Sequence, residues 1–354
     1  MKEFWSNRIR SLTPYTAGEQ PKNRKFIKLN ANENPYPPSP KALEAIQQSA
    51  DEALRLYPDM EAASLRQALA KRHGVDFNQV FVGNGSDEVL AFAFQAFYDA
   101  GAEIVFPDIT YSFYPVYADL FGIKCRNVPL NDDFSVNVDF LCGGNDGVVI
   151  ANPNAPTGME LPQSDIVRIL EANPDVVVIV DEAYVDFGVQ SAVNLIDRYP
   201  NLLVVQTFSK SRSLAGARIG YAMGNENLIQ AINCVKNSFN SYTIDRIALA
   251  AATASVEDEA YFQEHCNKVI ATRERTSEVL RQNGFTVYPS KTNFVFITHP
   301  TVAATELFAG LRERGILVRY FNKPRIDNCL RVTIGTDKEM DAFLEATLDL
   351  TKGK

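Results

Sequence analysis

Histidine is scarce in this chain: His73, His265 and His299 are the three in 354 residues. None stands at metal-ligand spacing or in a recognisable triad, so no metal site is expected and acid–base chemistry falls to another residue type. The five cysteines, Cys125, Cys142, Cys234, Cys266 and Cys329, are scattered, odd in number and free of any Cys-x-x-Cys pair. A disulfide framework is therefore not expected, and a reducing compartment is. No apolar run is long enough to cross a bilayer, and the opening MKEFWSNRIR lacks the apolar core of a signal peptide. Basic residues are outnumbered, 35 against 43 acidic, for a net charge of -8. That balance argues against nucleic acid as a partner, yet it leaves room for a small anionic ligand in a locally positive pocket. A cytoplasmic globular protein without membrane or nucleic-acid partners is the expectation.

What is present reads as two domains, because 354 residues exceed the usual reach of one hydrophobic core. Between Leu12 and Pro40 the chain is polar and crowded with Pro35, Pro37, Pro38 and Pro40, which predicts an extended arm without helix or sheet. Ser39-Pro40 reads as a helix start with Leu43, Ile46 and Ala50 as the apolar stripe. A second helix over 64–72 carries Leu65, Ala68 and Leu69 on one face and stops at Gly74. From Val80 onward, apolar runs at 80–82, 104–106, 125–128, 148–151, 176–180, 202–205 and 219–222 alternate with helical patterns such as 87–98 and 163–171. Consecutive apolar residues suit strands covered on both faces, so the pattern is an α/β fold with a mainly parallel seven-stranded sheet flanked by helices. After about residue 258 a helix (259–283), strands (285–288, 293–297, 317–320, 330–334), a helix near 303–314 and a terminal helix suggest a smaller α+β domain. The expected division is an arm over 1–40, a large domain over 41–258 and a small domain over 259–354.

Parallel α/β sheets bind ligands outside the carboxyl ends of their strands, and four such ends carry suggestive residues. Gly83-Asn84-Gly85-Ser86-Asp87-Glu88 leads into a helix, where glycines and free amides suit an anion; a tight turn capped by Ser86 or Asp87 is the plainer alternative. Asn152-Pro153-Asn154-Ala155-Pro156-Thr157-Gly158 is a turn whose amides can also meet a ring hydroxyl. Asp181-Glu182-Ala183-Tyr184 puts a carboxylate after five apolar residues, either as a cap or salt bridge, or as the partner of a protonated pyridine nitrogen with Tyr184 near the ring oxygen. The stretch TFSKSRSLAGARIG, from Thr207 to Gly220, offers Ser209, Lys210 and Arg218. It is either a solvated loop with two surface cations or a Schiff-base lysine beside a phosphate-gripping arginine. A lysine and a phosphate anchor together are what pyridoxal phosphate requires.

Thr-Phe-Ser-Lys-Ser-Arg-Ser-x-Ala-Gly resembles the attachment signature of the class II branch of pyridoxal-phosphate aminotransferases. The resemblance covers essentially the whole chain, from Leu12-Thr13-Pro14-Tyr15 and Leu29-Asn30-Ala31-Asn32-Glu33 to Cys329-Leu330-Arg331-Val332-Thr333-Ile334-Gly335. It is most similar to the histidinol-phosphate aminotransferase family, which implies the fold type I architecture. The resemblance further implies that Gly85, Ser86, Asp87, Ser209 and Arg218 surround the cofactor phosphate and that Tyr111, in Thr-Tyr-x-x-Tyr, stacks on the ring. By the same resemblance Asp181 meets the ring nitrogen and Tyr184 the ring oxygen, and Lys210 is the anchor and proton carrier. Tyr57, in Leu-Tyr-Pro-Asp, would reach the phosphate of a second subunit, implying a homodimer with shared active sites. The family has asparagine before Pro-Thr-Gly where this chain has Ala155. The ring-oxygen contact then falls to Asn154, to Asn152, to Tyr184 alone, or to water.

Arg331 alternates with apolar residues in Leu330-Arg331-Val332-Thr333-Ile334 and points away from them with Thr333; a surface salt bridge is the plain reading. The resemblance makes it the grip for the glutamate carboxylate and for the phosphate of histidinol phosphate, with Arg319 and Tyr15 adding to the phosphate site. The implied activity is transamination between L-histidinol phosphate or imidazole acetol phosphate and glutamate or 2-oxoglutarate, so the partners are a small phosphorylated amine and keto or amino acids. Three other readings stand beside it: an aminotransferase for aromatic amino acids, a phospho-amino-acid decarboxylase of the same fold, and a cofactor-sensing regulator. The last needs a DNA-binding module ahead of the body, which an acidic chain whose body begins almost at residue 1 does not suggest.

Overall fold

The computed structural model describes residues 4–16, 18, 19, 21 and 25–353. A short helix, α1 (Asn7–Ser11), precedes a two-residue strand, β1 (Ile27–Lys28). The proline-rich stretch thus holds a strand that composition did not suggest. Ile27 and Lys28 lie before the prolines, and they pair in parallel with Ile316 and Leu317. Helix α2 (Pro40–Ser49) starts where expected, the Ser39 hydroxyl accepting from the Ala42 amide at 3.2 Å. Its inward face is different from the one anticipated: Ala42 is fully buried while Leu43 is 42% exposed. A small residue there lets α2 lie close against the helix at Arg246–Glu257. Helix α3 (Ala63–His73) buries Leu65 and Leu69 and ends at Gly74, whose φ of +68° is left-handed.

The seven apolar runs become one sheet of β2 (Val80–Gly83), β3 (Glu103–Pro107), β4 (Lys124–Val128), β5 (Gly147–Ala151), β6 (Val178–Asp181), β7 (Leu202–Thr207) and β8 (Gly220–Gly224). Their order is β2-β8-β7-β6-β5-β3-β4. Strands β3 to β7 run parallel, and β8 is antiparallel to both β2 and β7. Helices α4 (Gly85–Phe97), α5 (Tyr114–Phe121), α6 (Gln163–Ala172), α7 (Glu226–Phe239) and α8 (Arg246–Glu257) cover both faces. Ile179, Leu203 and Val205 pack with α4, α5 and α7, whereas Val178, Val180, Leu202 and Val204 pack with α3, α6 and α8. Two covered faces are why these strands read as unbroken apolar runs.

The C-terminal part contains α9 (Glu259–Gln282), β9 (Thr286–Val287), β10 (Phe294–Thr298), α10 (Ala304–Glu313), β11 (Ile316–Leu317), β12 (Arg319–Tyr320), β13 (Leu330–Thr333) and α11 (Asp337–Thr351). An antiparallel sheet of order β12-β13-β10-β9 packs on α9, α10 and α11. The strand expected at 317–320 divides at Val318: Leu317 pairs with β1, and Arg319 turns to pair with β13. Among the described residues, no helix is long and apolar enough to cross a membrane.

Candidate active site

The carboxyl ends of β5, β6 and β7, the start of α4 and one edge of the smaller sheet wall a cavity of about 370 Å³. Of the residues singled out in the sequence, Tyr15, Ser86, Asp87, Tyr111, Asp181 and Tyr184 line it, together with Ser209, Lys210, Arg218, Arg319 and Arg331. Their chain positions run from 15 to 331, and the fold brings all of them to one opening.

Lys210 follows β7, and its backbone carbonyl accepts from Asn34 Nδ2 at 3.0 Å. Its Nζ lies 3.5 Å from the Ala31 carbonyl and 5.8 Å from the centroid of the Tyr184 ring. Asp181 ends β6 and is buried, with Oδ2 accepting from the Tyr114 hydroxyl at 2.7 Å. Burial pushes its carboxyl up to about 6, against the pull of that hydrogen bond. Asp181 Oδ1 has no hydrogen-bond partner among the described residues. A buried carboxylate oxygen in this position has room for a charged donor from the cavity. Tyr184 accepts from Asn32 Nδ2 at 2.9 Å, and its ring stands edge-on to Phe294.

The start of α4 forms another wall. Asn84 makes no side-chain cap, and Ser86 and Asp87 sit within the first helical turn, whose amides have no partner inside the helix. Gly85 has φ +80°, which favours glycine, and a Cβ there would push on the Arg218 guanidinium, whose Nη2 would lie 2.5 Å away. Arg218 Nη2 donates to Asp87 Oδ2 at 3.1 Å, and its Nη1 lies 3.5 Å from Ser209 Oγ. Tyr111 donates to the other oxygen of Asp87 at 3.0 Å, which sets its ring at the cavity wall.

Arg319 and Arg331, also in the lining, are Cα partners across β12 and β13, and each guanidinium carbon lies 5.5 Å from the Phe321 ring centroid. Burial lowers the Arg331 pKa, and the charge of Arg319 lowers it further. Arg331 Nη2 donates to the Asn30 carbonyl at 3.2 Å, while its buried Nε has no partner among the described residues. Tyr15, also in the lining, stacks on Phe113 at 4.8 Å.

Two expected residues stand elsewhere. Asn154 does not face the cavity: its Nδ2 donates to the Ile109 carbonyl and to Thr157 Oγ1, and its Oδ1 accepts from Thr110. Asn152 is likewise occupied, bridging both backbone groups of Leu161. Both amides are thus bonded within the chain, and neither lines the cavity. Ala155 lines the cavity, and Tyr184 or water is left for that role. Tyr57 is 79% exposed and stacks on Tyr242 at 4.7 Å, outside the cavity of its own chain.

Three residues escaped the sequence reading of the site: Tyr114, Asn32 and Asn34. Tyr114 and Asn32 lie inside stretches already noted, as the second tyrosine of Thr-Tyr-x-x-Tyr and in Leu29-Asn30-Ala31-Asn32-Glu33, and Asn34 follows directly. The repeated asparagines were the available signal. Asn32 has φ +55°, and its Oδ1 accepts from Thr333 Oγ1 at 3.0 Å.

The residues fit pyridoxal phosphate: a lysine amine, an unpartnered Asp181 oxygen for a protonated ring nitrogen, and a helix start with Arg218 and Ser209 for a phosphate.

The family model described as aminotransferase class I and II matches residues 24–346, and the chain belongs to that family. Within it, the chain is 60% identical to a histidinol-phosphate aminotransferase of Marinomonas sp. (strain MWYL1), over 98% of this chain and 99% of the relative. It is 56% identical to the protein of that name from Clostridium acetobutylicum, over 98% of each chain. Among solved structures, histidinol-phosphate aminotransferase from Sinorhizobium meliloti in complex with pyridoxal-5'-phosphate is 28% identical, with a TM-score of 0.90, over 99% of this chain and 98% of that one.

Proposed function

We propose that this protein exchanges an amino group between glutamate and imidazole acetol phosphate, giving 2-oxoglutarate and L-histidinol phosphate, with pyridoxal phosphate as cofactor. The observation that carries the reading is the shared cavity: one opening is lined by Lys210 and Asp181 and also by the paired Arg319 and Arg331. The names of relatives at 56–60% identity support the same substrate.

When bound, the cofactor supplies an electron sink that makes the substrate's C–H bond acidic. The chain supplies the rest. Ser86, Ser209, Arg218 and the start of α4 hold the cofactor phosphate. Asp181 Oδ1 would face the ring nitrogen and favour its protonated form, Tyr111 would pack on the ring, and Tyr184 would donate to the ring oxygen. Arg331 grips the substrate carboxylate or phosphate as a planar fork, with Arg319 and Tyr15 completing the phosphate site. Lys210 Nζ would take the proton from the substrate carbon and deliver it to the carbon on the other side of the transferred nitrogen, acting as base and then acid.

The proposal includes a homodimer in a reducing cytoplasm, the five cysteines all being unpaired. Leu54, Leu56, Met60, Phe239 and Tyr242 form exposed apolar surface around Tyr57, and a second copy covering it would carry Tyr57 to the neighbouring phosphate. It also keeps the three-part division at residues 40 and 258, with the arm joined to the C-terminal part through the pairing of β1 with β11.

Aromatic amino acids are a second reading, favoured by the Tyr15, Tyr111, Tyr184 and Phe321 rings around the cavity. The visible spectrum tests both readings. A yellow protein that bleaches on L-histidinol phosphate, with no keto acid present, supports the first. Bleaching by phenylalanine or glutamate alone moves the substrate, and failure to take up the cofactor overturns the reading.

A further inference from the structure

Asp181 is held from behind by a group outside the cavity lining. Tyr114, the first residue of α5, is fully buried, and its hydroxyl donates to Asp181 Oδ2 at 2.7 Å. Its ring is fixed edge-on against Tyr111 at 5.5 Å and Phe106 at 5.9 Å. One carboxylate oxygen is therefore occupied by a donor that cannot swing away, and the other, Oδ1, has no partner among the described residues.

We propose that Tyr114 is a positioning residue: its hydroxyl anchors Asp181 Oδ2 so that Oδ1 is presented, ionised, to the nitrogen of the cofactor ring. This rests on the pyridoxal-phosphate reading above. A phenol donor to a buried carboxylate favours the charged form, whereas burial alone favours the neutral one. The groups facing Asp181 are Asp87 at the start of α4, which raises its pKa, and Lys210 after β7, which lowers it. Tyr111 and Tyr117 are close enough to feel its charge. Burial, reinforced by Asp181, holds the Tyr114 phenol well above its usual range, so it remains a donor throughout. Glu182 lies on the opposite face of β6, occupied by Ser191 and Gln206.

The sign of the effect follows. With the phenol present, burial already lifts Asp181 to about 6. Without it only the Ala183 amide and the charge of Lys210 oppose that lift, so the carboxylate is neutralised at higher pH and the cofactor is released there. The test is dialysis of the full-length cofactor-loaded protein across a pH series, with retained cofactor measured by absorbance. Tyr114→Phe should move the half-retention pH upward by about one to two units. Tyr98→Phe is the control, because it removes a buried phenol that donates to the Val177 carbonyl beside the other end of β6. It should leave the midpoint in place.

A measurement on the unmutated protein stands beside the variants. With 13Cζ-labelled tyrosine, one tyrosine resonance should shift at the pH where cofactor is lost, and Asp181→Asn should abolish that shift. An unmoved midpoint in Tyr114→Phe, equal shifts in both phenol variants, or no coupled tyrosine resonance overturns the proposal. If the unmutated protein takes up no cofactor at any pH, the underlying reading fails instead.

Discussion

Arg319 and Arg331 face each other as Cα partners across the antiparallel pair β12–β13, and among the described residues neither forms an ion pair. Like charges directly opposite in a sheet destabilise it, and an anion between them relieves the repulsion. The pair differs in setting. Arg331 is fastened to the Asn30 carbonyl, while Arg319 lies beyond it on the two-residue strand β12.

That difference separates their roles. Arg319→Ala should raise KM for L-histidinol phosphate by about 10–100-fold, the loss expected for one charge-assisted contact, and leave glutamate nearly unchanged. Arg331→Ala should impair both donors. Steady-state kinetics with each donor decides the matter, and equal losses in Arg319→Ala would remove its phosphate role.

Lys210 is the proton carrier in the proposed mechanism, so Lys210→Ala should lower turnover by about 10²–10⁴-fold. The cofactor should then wash out under denaturing conditions. Borohydride treatment followed by mass spectrometry should attach it to the unmutated chain and not to the variant.

Asp181 makes stability depend on pH in the cofactor-free protein. Its folded pKa, about 6, lies above the ordinary value of 3.8. The folded state thus binds this proton more tightly than the unfolded chain does. The resulting stability is fully present below 3.8 and is gone once pH rises past about 6. Cofactor-free Asp181→Asn should therefore unfold less readily than the unmutated protein at pH ~8, by up to ~3 kcal/mol, and equally near pH ~4. Denaturant titrations at the two pH values check this, and the same variant should bind cofactor much more weakly.

The exposed patch around Tyr57 bears on assembly. Leu56→Asp places a charge on an exposed residue next to Tyr57 in the chain and outside the cavity lining. Sedimentation should show a shift from dimer to monomer, and activity should fall with it. A monomer that keeps full activity would remove Tyr57 from the site.

The seven-stranded sheet was legible because burial on both faces leaves an unbroken apolar run such as Leu202-Leu203-Val204-Val205. The lysine stretch was legible because hydroxyl, amine and guanidinium stand close together in sequence. Residues whose role depends on a distant partner were not. Tyr114 reads as an ordinary core aromatic until β6 brings Asp181 beneath it. Asn154 reads as a free amide until Thr110 and the Ile109 carbonyl close on it. Leu43 was placed inward by helical spacing, but the small Ala42 takes the contact face once α8 arrives.

The pairing of β1 with β11 joins nearly the first ordered strand of the chain to one of its last. During synthesis Ile27 has no partner until Ile316 has left the ribosome, and Asn32 waits equally long for Thr333. The seven-stranded sheet can close from its own segment while the nascent amino end is still unpaired. The catalytic pocket is therefore among the last features to exist, and a chain that stops short of β13 can hold a finished sheet without ever having held an active site.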